Sequence, residues 1–367
     1  MYSNNDKVSI GQMINILILG TIGVGILTLP RDLAEIVGTD GWISLLIGGG
    51  LAMLIALANT YIIKCFPNKG LFQILEETLG KPIAWIVSLF LCLTLLGNIA
   101  FIVRIYEIVT KTLLLPRTPK AVLIIMMLLV VVYAVRVGIE PLGRISNIIF
   151  PISVILVVIL FGLTLSQAEV SNLRPFLQSS PKDIFKTLNI VIYSLLGFEL
   201  VLIFGVHINQ PQKATLIAPI TVGVVLLLYL LLNTLVLANF GEKQIIRLIW
   251  PTFNVFKTVE FPGAFIENVE IAAMAIWIFN IFTSLAPLYL GTTILISDIV
   301  GAKEQNYFAL PLLPLVYTAS RFGESIADVY KFFGIFANYT IYPVILGIPL
   351  LVFIGRQVKK FSKNKIG

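Results

Sequence analysis

Ten apolar runs, each near the about 20 residues that an α-helix needs to cross a bilayer, dominate this 367-residue chain. They fall at about 9–37, 41–65, 82–115, 119–136, 141–166, 184–209, 213–239, 268–299, 306–322 and 325–356. Polar or helix-breaking residues separate them: Gly38 to Gly41, Pro67 with Gly70, Pro116 to Pro119, and the pair Glu140 and Pro141. Backbone groups in hydrocarbon must find their hydrogen bonds within the protein, so runs of this kind become helices. Charged residues make up 12% of the chain, about half the roughly 25% of soluble domains, and the mean hydropathy is +0.97. So little polar surface cannot cover so much apolar side chain in water. The expectation is an all-α polytopic membrane protein: a single membrane domain, 1–367, with ten transmembrane helices.

Charge and rare residues narrow the function. The net charge of +7 would suit nucleic acid if it formed a patch on a folded face. Instead Arg356, Lys359, Lys360, Lys363 and Lys365 follow the last apolar run directly. They read as a cytoplasmic anchor beside anionic lipid, and no nucleic-acid partner is expected. An even number of spans then puts the N-terminus in the cytoplasm too. Only Lys7 precedes the first run and no small-residue cleavage site follows it, so a removable signal peptide is not expected. His207 is the single histidine, and Cys65 and Cys92 are the only cysteines. That leaves no disulfide framework and no ligand set for a transition metal. Without a nucleophile–base pair or a phosphate loop, neither an enzyme nor a cofactor is expected.

Five spans per half invert the second half relative to the first. Residues 9–166 and 184–356 are therefore expected to form a 5+5 inverted repeat. Two longer connections remain, 167–183 and 240–267. The second holds Ile245 to Val259, an expected interfacial helix carrying Trp250 and Phe253. Leu71 to Leu79 is expected as a short amphipathic helix.

The first span is interrupted. It carries Gly20, Gly23 and Gly25 in its middle, and each glycine weakens a helix by roughly 1 kcal/mol relative to alanine. Unwinding over Gly20, Thr21, Ile22, Gly23, Val24, Gly25 and Ile26 would free peptide groups at membrane depth. The half-helix starting near Gly25 would aim N–H groups and a positive dipole end into the protein, a site for a carboxylate. The same glycines would also serve as a close-packing face. The sixth span carries Ser194, Gly197, Phe198 and Glu199. A carboxylate at that depth costs about 2.5–3.5 kcal/mol, so Glu199 must face protein or a cavity. It would hold a ligand ammonium or a proton, or hydrogen-bond the opened backbone of span one or six. Asn280, Thr283, Ser284 and Pro287 share a face of span eight, and Thr94, Asn98 and Phe101 share one in span three. Asn338, Tyr339, Thr340 and Tyr342 precede Pro343 in span ten. Each set would line a cavity or make interhelical hydrogen bonds. Arg104, Glu107 and Lys111 read as an ion-pair ladder, as do Arg31 and Glu35, with Asp32 on the outer rim. Gly48 to Gly50 would permit close packing.

The stretch Gly20-Thr-Ile-Gly-Val-Gly-Ile-Leu-Thr-Leu-Pro-Arg31 resembles the first helix of the amino acid–polyamine–organocation superfamily. With its length, ten spans, short N-tail, basic C-tail and the Leu196-Gly197-Phe198-Glu199 break, the chain more closely resembles the B subunits of spore germinant receptors, the endospore germination permeases. That resemblance implies helices one and six broken at the midplane around a central site, with spans three, eight and ten completing its walls. By position, Gly20 to Ile26 would hold a substrate carboxylate and Ser194 to Glu199 would face it. Asn98, Phe101, Thr283 and Ser284 would flank it. The resemblance also implies a small-molecule nutrient, commonly an amino acid, as ligand. It implies a larger membrane A subunit and a C lipoprotein as partners in the inner spore membrane. One departure stands out. Some proton-coupled relatives carry a lysine in span five, whereas Val154 to Leu165 contain no ionisable residue. Three functions stay open on sequence: a nutrient-sensing receptor subunit, a secondary amino-acid transporter, and an ion or water conduit.

Overall fold

The breaks and turns written in the sequence decide where each helix starts and stops. In a computed structural model that describes residues 6–257 and 269–366, the chain is nearly all helical. α1 spans Ile10–Thr21 and opens on a capping box, in which Ser9 and Gln12 satisfy each other's backbone N–H groups at 3.2 and 2.8 Å. α2 spans Gly25–Val37, and a 3-10 turn at Gly38–Asp40 leads into α3, Gly41–Cys65. Next come α4 (Leu71–Leu79), α5 (Lys81–Leu113), α6 (Lys120–Val137) and α7 (Ile139–Thr164). Then follow α8 (Pro181–Ser194), α9 (Val201–Phe204), α10 (Ile217–Ile245) and α11 (Pro251–Lys257). The chain closes with α12 (Val269–Val300), α13 (Leu312–Ala319), α14 (Ile326–Tyr342) and α15 (Ile348–Ile366), with a π-helical turn at Pro343–Gly347 between the last two.

Among the described residues, seven helical stretches are long and apolar enough to cross a membrane. They are eight if α8 and the helical stretch Phe198–His207, bent by 51° at their junction, are taken as one span. Two expected spans differ for local reasons. The first is cut at Ile22 to Val24, which leaves α1 with 12 residues, and α2 runs on through the 3-10 turn toward α3. The ninth is represented by the eight residues of α13.

The connections are tied down by specific groups. The carboxylate of Asp40 accepts three backbone N–H bonds, from Leu177, Gln178 and Ser179, at 2.7, 2.7 and 2.8 Å. That pins the long connection before α8 onto the α2–α3 turn. The expected amphipathic helix is α4, and it lies against α5 and α15. The expected interfacial helix is different in kind. α11 is short and packs between α2, α10 and α12, and Trp250 and Phe253 are buried in protein rather than presented to a membrane surface. Thr258 and Val259 of that expectation lie outside the described residues. Beyond the end of α9, Val8 bridges Ile208, and Lys7 donates to the Val206 carbonyl at 2.8 Å.

Glycines set the closest helix contacts. A Cβ on Gly48 would sit 2.6 Å from Val191 of α8, and one on Gly49 would sit 2.6 Å from Leu226 of α10, whereas Gly50 faces open space. Gly48→Ala should therefore lower stability by about 1–3 kcal/mol through overpacking. Gly50→Ala should leave it unchanged or slightly raised by helix propensity. Thermal unfolding of the purified variants in one detergent checks the contrast.

Candidate functional site

The two breaks face each other. α1 ends at Thr21 and α2 begins at Gly25, with Ile22 to Val24 non-helical between them. α8 ends at Ser194, and Gly197 takes φ +129°, a conformation suited to glycine. A Cβ on Gly197 would lie 2.6 Å from the Thr21 hydroxyl oxygen, and one on Gly25 would lie 3.4 Å from Ser194. The breaks thus meet backbone to backbone, and two glycines allow it.

Opened helices leave carbonyls and amides without intrahelical partners. The carbonyls are satisfied by side chains from other spans. The Ser284 hydroxyl lies 2.8 Å from the Leu19 carbonyl and 3.1 Å from that of Ile22. The Tyr229 hydroxyl of α10 lies 3.1 Å from the Ser194 carbonyl and 3.4 Å from that of Thr21, bridging both breaks. In the second break, the Glu199 carboxylate accepts the Gly197 N–H at 2.7 Å. The amides at the start of α2 are in a different state. Gly23 N–H bonds the Thr21 carbonyl, and Leu27 N–H bonds that of Val24. For the N–H groups of Val24, Gly25 and Ile26 no described residue provides an acceptor.

Two adjoining cavities open here. The smaller, about 50 Å³, touches Thr21, Gly23, Asn98, Gly197 and Glu199. The larger, about 210 Å³, extends between α2, α8 and α14 and is bordered by Thr28, Asp32, Asn189, Tyr330 and Asn338 among others. Val24, Gly25, Phe101, Tyr193 and Ser194 border both. Phe101 stacks on Phe333 with ring centres 3.5 Å apart, which forms one wall.

Of the expected site residues, Thr21, Gly23, Val24, Gly25, Asn98, Phe101, Ser194, Gly197 and Glu199 are brought together around these cavities. The others are not. Ile22 and Ile26 turn to the far side, toward a 30 Å³ gap by α7 and Tyr229. Phe198 is buried in the core beside the break. The Thr283 hydroxyl bonds the Phe279 and Asn280 carbonyls of its own helix. Ser284 caps the broken helix instead of bordering the space. Asn280 accepts from Ser153 at 3.1 Å, an interhelical bond. Within span ten, Asn338 and Tyr342 reach the larger cavity while Tyr339 faces outward. Arg104 and Glu107 pair at 2.8 Å in the interior. Asn189, Tyr193, Tyr229, Tyr330 and Phe333 were absent from the sequence expectation. The available signal was the presence of tyrosines within apolar runs, since a buried hydroxyl needs a partner.

With that geometry in view, comparison with known proteins decides the family. Residues 7–329 match the spore germination protein family. The chain belongs to that family. Spore germination protein A2 of Bacillus subtilis (strain 168) is 32% identical over 279 residues, 76% of each chain. Spore germination protein B2 of the same organism is 24% identical over 369 residues, covering all of both chains. Spore germination protein YndE, also of that organism, is 25% identical over 361 residues, 98% of this chain and 99% of that one. Among solved structures, a substrate-bound, outward-open Na+-coupled sialic acid symporter aligns with a TM-score of 0.66 at 14% identity. That alignment covers 94% of this chain and 78% of the other. MhsT in complex with L-phenylalanine aligns with a TM-score of 0.55 at 13% identity, over 94% and 97%. This member of the spore germination family is thus an integral membrane protein built on a transporter fold.

In this family member, Tyr229→Phe keeps the ring and removes the hydroxyl that joins the two breaks. Leaving buried carbonyls short of a donor should cost about 1–3 kcal/mol. A lower melting temperature with the cavity-lining residues untouched is the expected result, read by thermal unfolding in detergent.

Proposed function

We propose that the chain is the nutrient-sensing membrane subunit of a spore germination receptor. A small zwitterionic nutrient, an amino acid, binds between the α1–α2 break and the α8–α9 break. One observation carries this proposal: the acceptor-free amides at the start of α2 border a cavity that Ser194 also lines. Such amides, at the positive end of a helix, suit a carboxylate. Glu199, the Ser194 region and the aromatic wall would receive the ammonium and side chain. Thr21, Gly23, Val24, Gly25, Asn98, Phe101, Gly197 and Glu199 form the binding set. Ile22, Ile26, Phe198, Thr283 and Ser284 support it from behind.

The proposed topology has ten crossings, with the interrupted α1–α2, the bent α8–α9 segment and the short α13 each counted as one, and both termini cytoplasmic. Packing supports an inverted repeat of 9–166 and 184–356. α2 lies against α8, α3 against α10, α5 against α12 and α6 against α13, which pairs the first with the sixth span, the second with the seventh, the third with the eighth and the fourth with the ninth. Ligand binding would favour one spacing of the two breaks. An A subunit and a C lipoprotein in the inner spore membrane would read that change.

Gly25→Leu would project a side chain toward Ser194 and fill the site. Spores carrying it should lose their nutrient response by at least about tenfold in dose while the protein still accumulates; an unchanged dose response would reject the site. The fold likeness to a Na+-coupled symporter favours one second reading, a working transporter. With no ionisable residue in Val154 to Leu165, lysine-based proton coupling has no group there to act through. Proteoliposomes should show ligand binding without accumulation against a gradient, and measured accumulation would establish transport instead.

A further inference from the structure

Gly25, Thr28 and Asp32 follow at i, i+3 and i+7 on one face of α2, and all three border the larger cavity. Asp32 is the one charged group on that wall among the described residues, which include no lysine, arginine or histidine there. Asp32 has no ion-pair partner among the described residues, because the adjacent Arg31 is engaged by Glu35 at 2.8 Å. Thr28, one turn back, is its polar neighbour. Tyr330 of α14 borders the same space beside the indole of Trp250. Its hydroxyl and the indole nitrogen are both buried and neighbour each other, short of full hydrogen-bonding geometry. Phe101 and Phe333 add aromatic surface, and Tyr193 meets Phe333 edge-on at 5.3 Å. A carboxylate without an ion-pair partner, a phenol oxygen and aromatic faces together make a receptor for a cation. Seven residues of helix, at about 1.5 Å each, put this group about 10 Å from the α2 amides. A ligand as short as alanine cannot touch both ends.

We infer that the nutrient is an amino acid whose side chain ends in a cation, of the lysine, ornithine or arginine class. Its carboxylate sits on the amides of Val24 and Gly25, and its distal cation sits between Asp32 and Tyr330. This rests on the assignment of the cavity as the nutrient site, and the test separates the two. The full-length protein in lipid nanodiscs is titrated with L-lysine and with L-norleucine, which keeps the α-amino acid and the four-carbon chain but lacks the terminal cation. The wild type should bind L-lysine at least about tenfold more tightly, the scale of a charge-assisted hydrogen bond. Asp32→Asn should bring the ratio of the two affinities close to one, and Asp32→Glu should keep most of the preference. Equal binding of both ligands by the wild type, or an unchanged ratio in Asp32→Asn, would overturn the cation subsite and leave the nutrient site standing. Failure of both ligands to bind the wild type would overturn the nutrient site, and this inference with it. Loss of both in Asp32→Asn, at an unaltered melting temperature, would make Asp32 part of the frame and also overturn the subsite.

Discussion

Opened backbone inside a membrane has to be answered group by group, and that requirement organises the centre of this molecule. Two helices stop inside the protein, one at Thr21 and one at Ser194. Each leaves carbonyls without intrahelical partners, and an unsatisfied group at membrane depth costs several kcal/mol. The protein assigns a hydroxyl to each problem: Ser284 from α12 for the end of α1, and Tyr229 from α10 for both breaks together. Glu199 answers the second break from within, by taking the Gly197 amide. The same carboxylate that looks costly as a lone charge is thus part of the scaffold. What is left unanswered is the set of amides at the start of α2. Carbonyls capped and amides free is the asymmetry on which the proposed carboxylate site rests.

The tyrosine bridge also mechanically relates the halves. Because the one Tyr229 hydroxyl proton lies within reach of both the Ser194 carbonyl, at 3.1 Å, and that of Thr21, at 3.4 Å, a change in the spacing of the two breaks alters how it is shared. Gly197 presses on Thr21 from the other side. A bound molecule can shift a conformational equilibrium only by the difference in its affinity for the two states. A ligand that contacts α2 amides on one side and the α8 end on the other has such a difference built in, since its fit depends on their separation. At the cytoplasmic end of the proposed topology, the lower part of the second broken helix is held separately. Lys7 bonds the Val206 carbonyl, and the His207 ring meets the Asp6 carbonyl at 2.9 Å. Motion in the middle would therefore be felt against a fixed inner end.

Local chemistry was the legible part. The glycines at 20, 23 and 25 marked the break because helix propensity is a property of the residues themselves. The α4 helix and the tight packing at Gly48 and Gly49 were readable for the same reason. Partners distant in sequence were not. Nothing near Ser284 shows that it caps a helix more than 260 residues earlier, and helical periodicity alone placed it with Thr283 on a cavity wall. Tyr229 sits in an apolar run with no motif around it. Trp250 and Phe253 have the composition of a membrane-surface helix, but composition cannot distinguish lipid from a protein groove as the apolar neighbour. The span count was blurred where a break shortens a helix or where a turn is wound tightly enough to continue one.

Asp32 illustrates how placement changes the meaning of a residue. In sequence Arg31 and Glu35 read as an i, i+4 pair, with Asp32 beside them on the outer rim. In the fold, α2 rotates Arg31 and Glu35 to pair with each other and turns Asp32 toward α14. Seven residues from the free amides, on their own face of the helix, it supplies the opposite charge at the other end of one cavity. A positive helix terminus and an unpaired carboxylate at a fixed separation amount to a ruler, and the length of that ruler, rather than the volume of the cavity, sets which ligands can satisfy both ends.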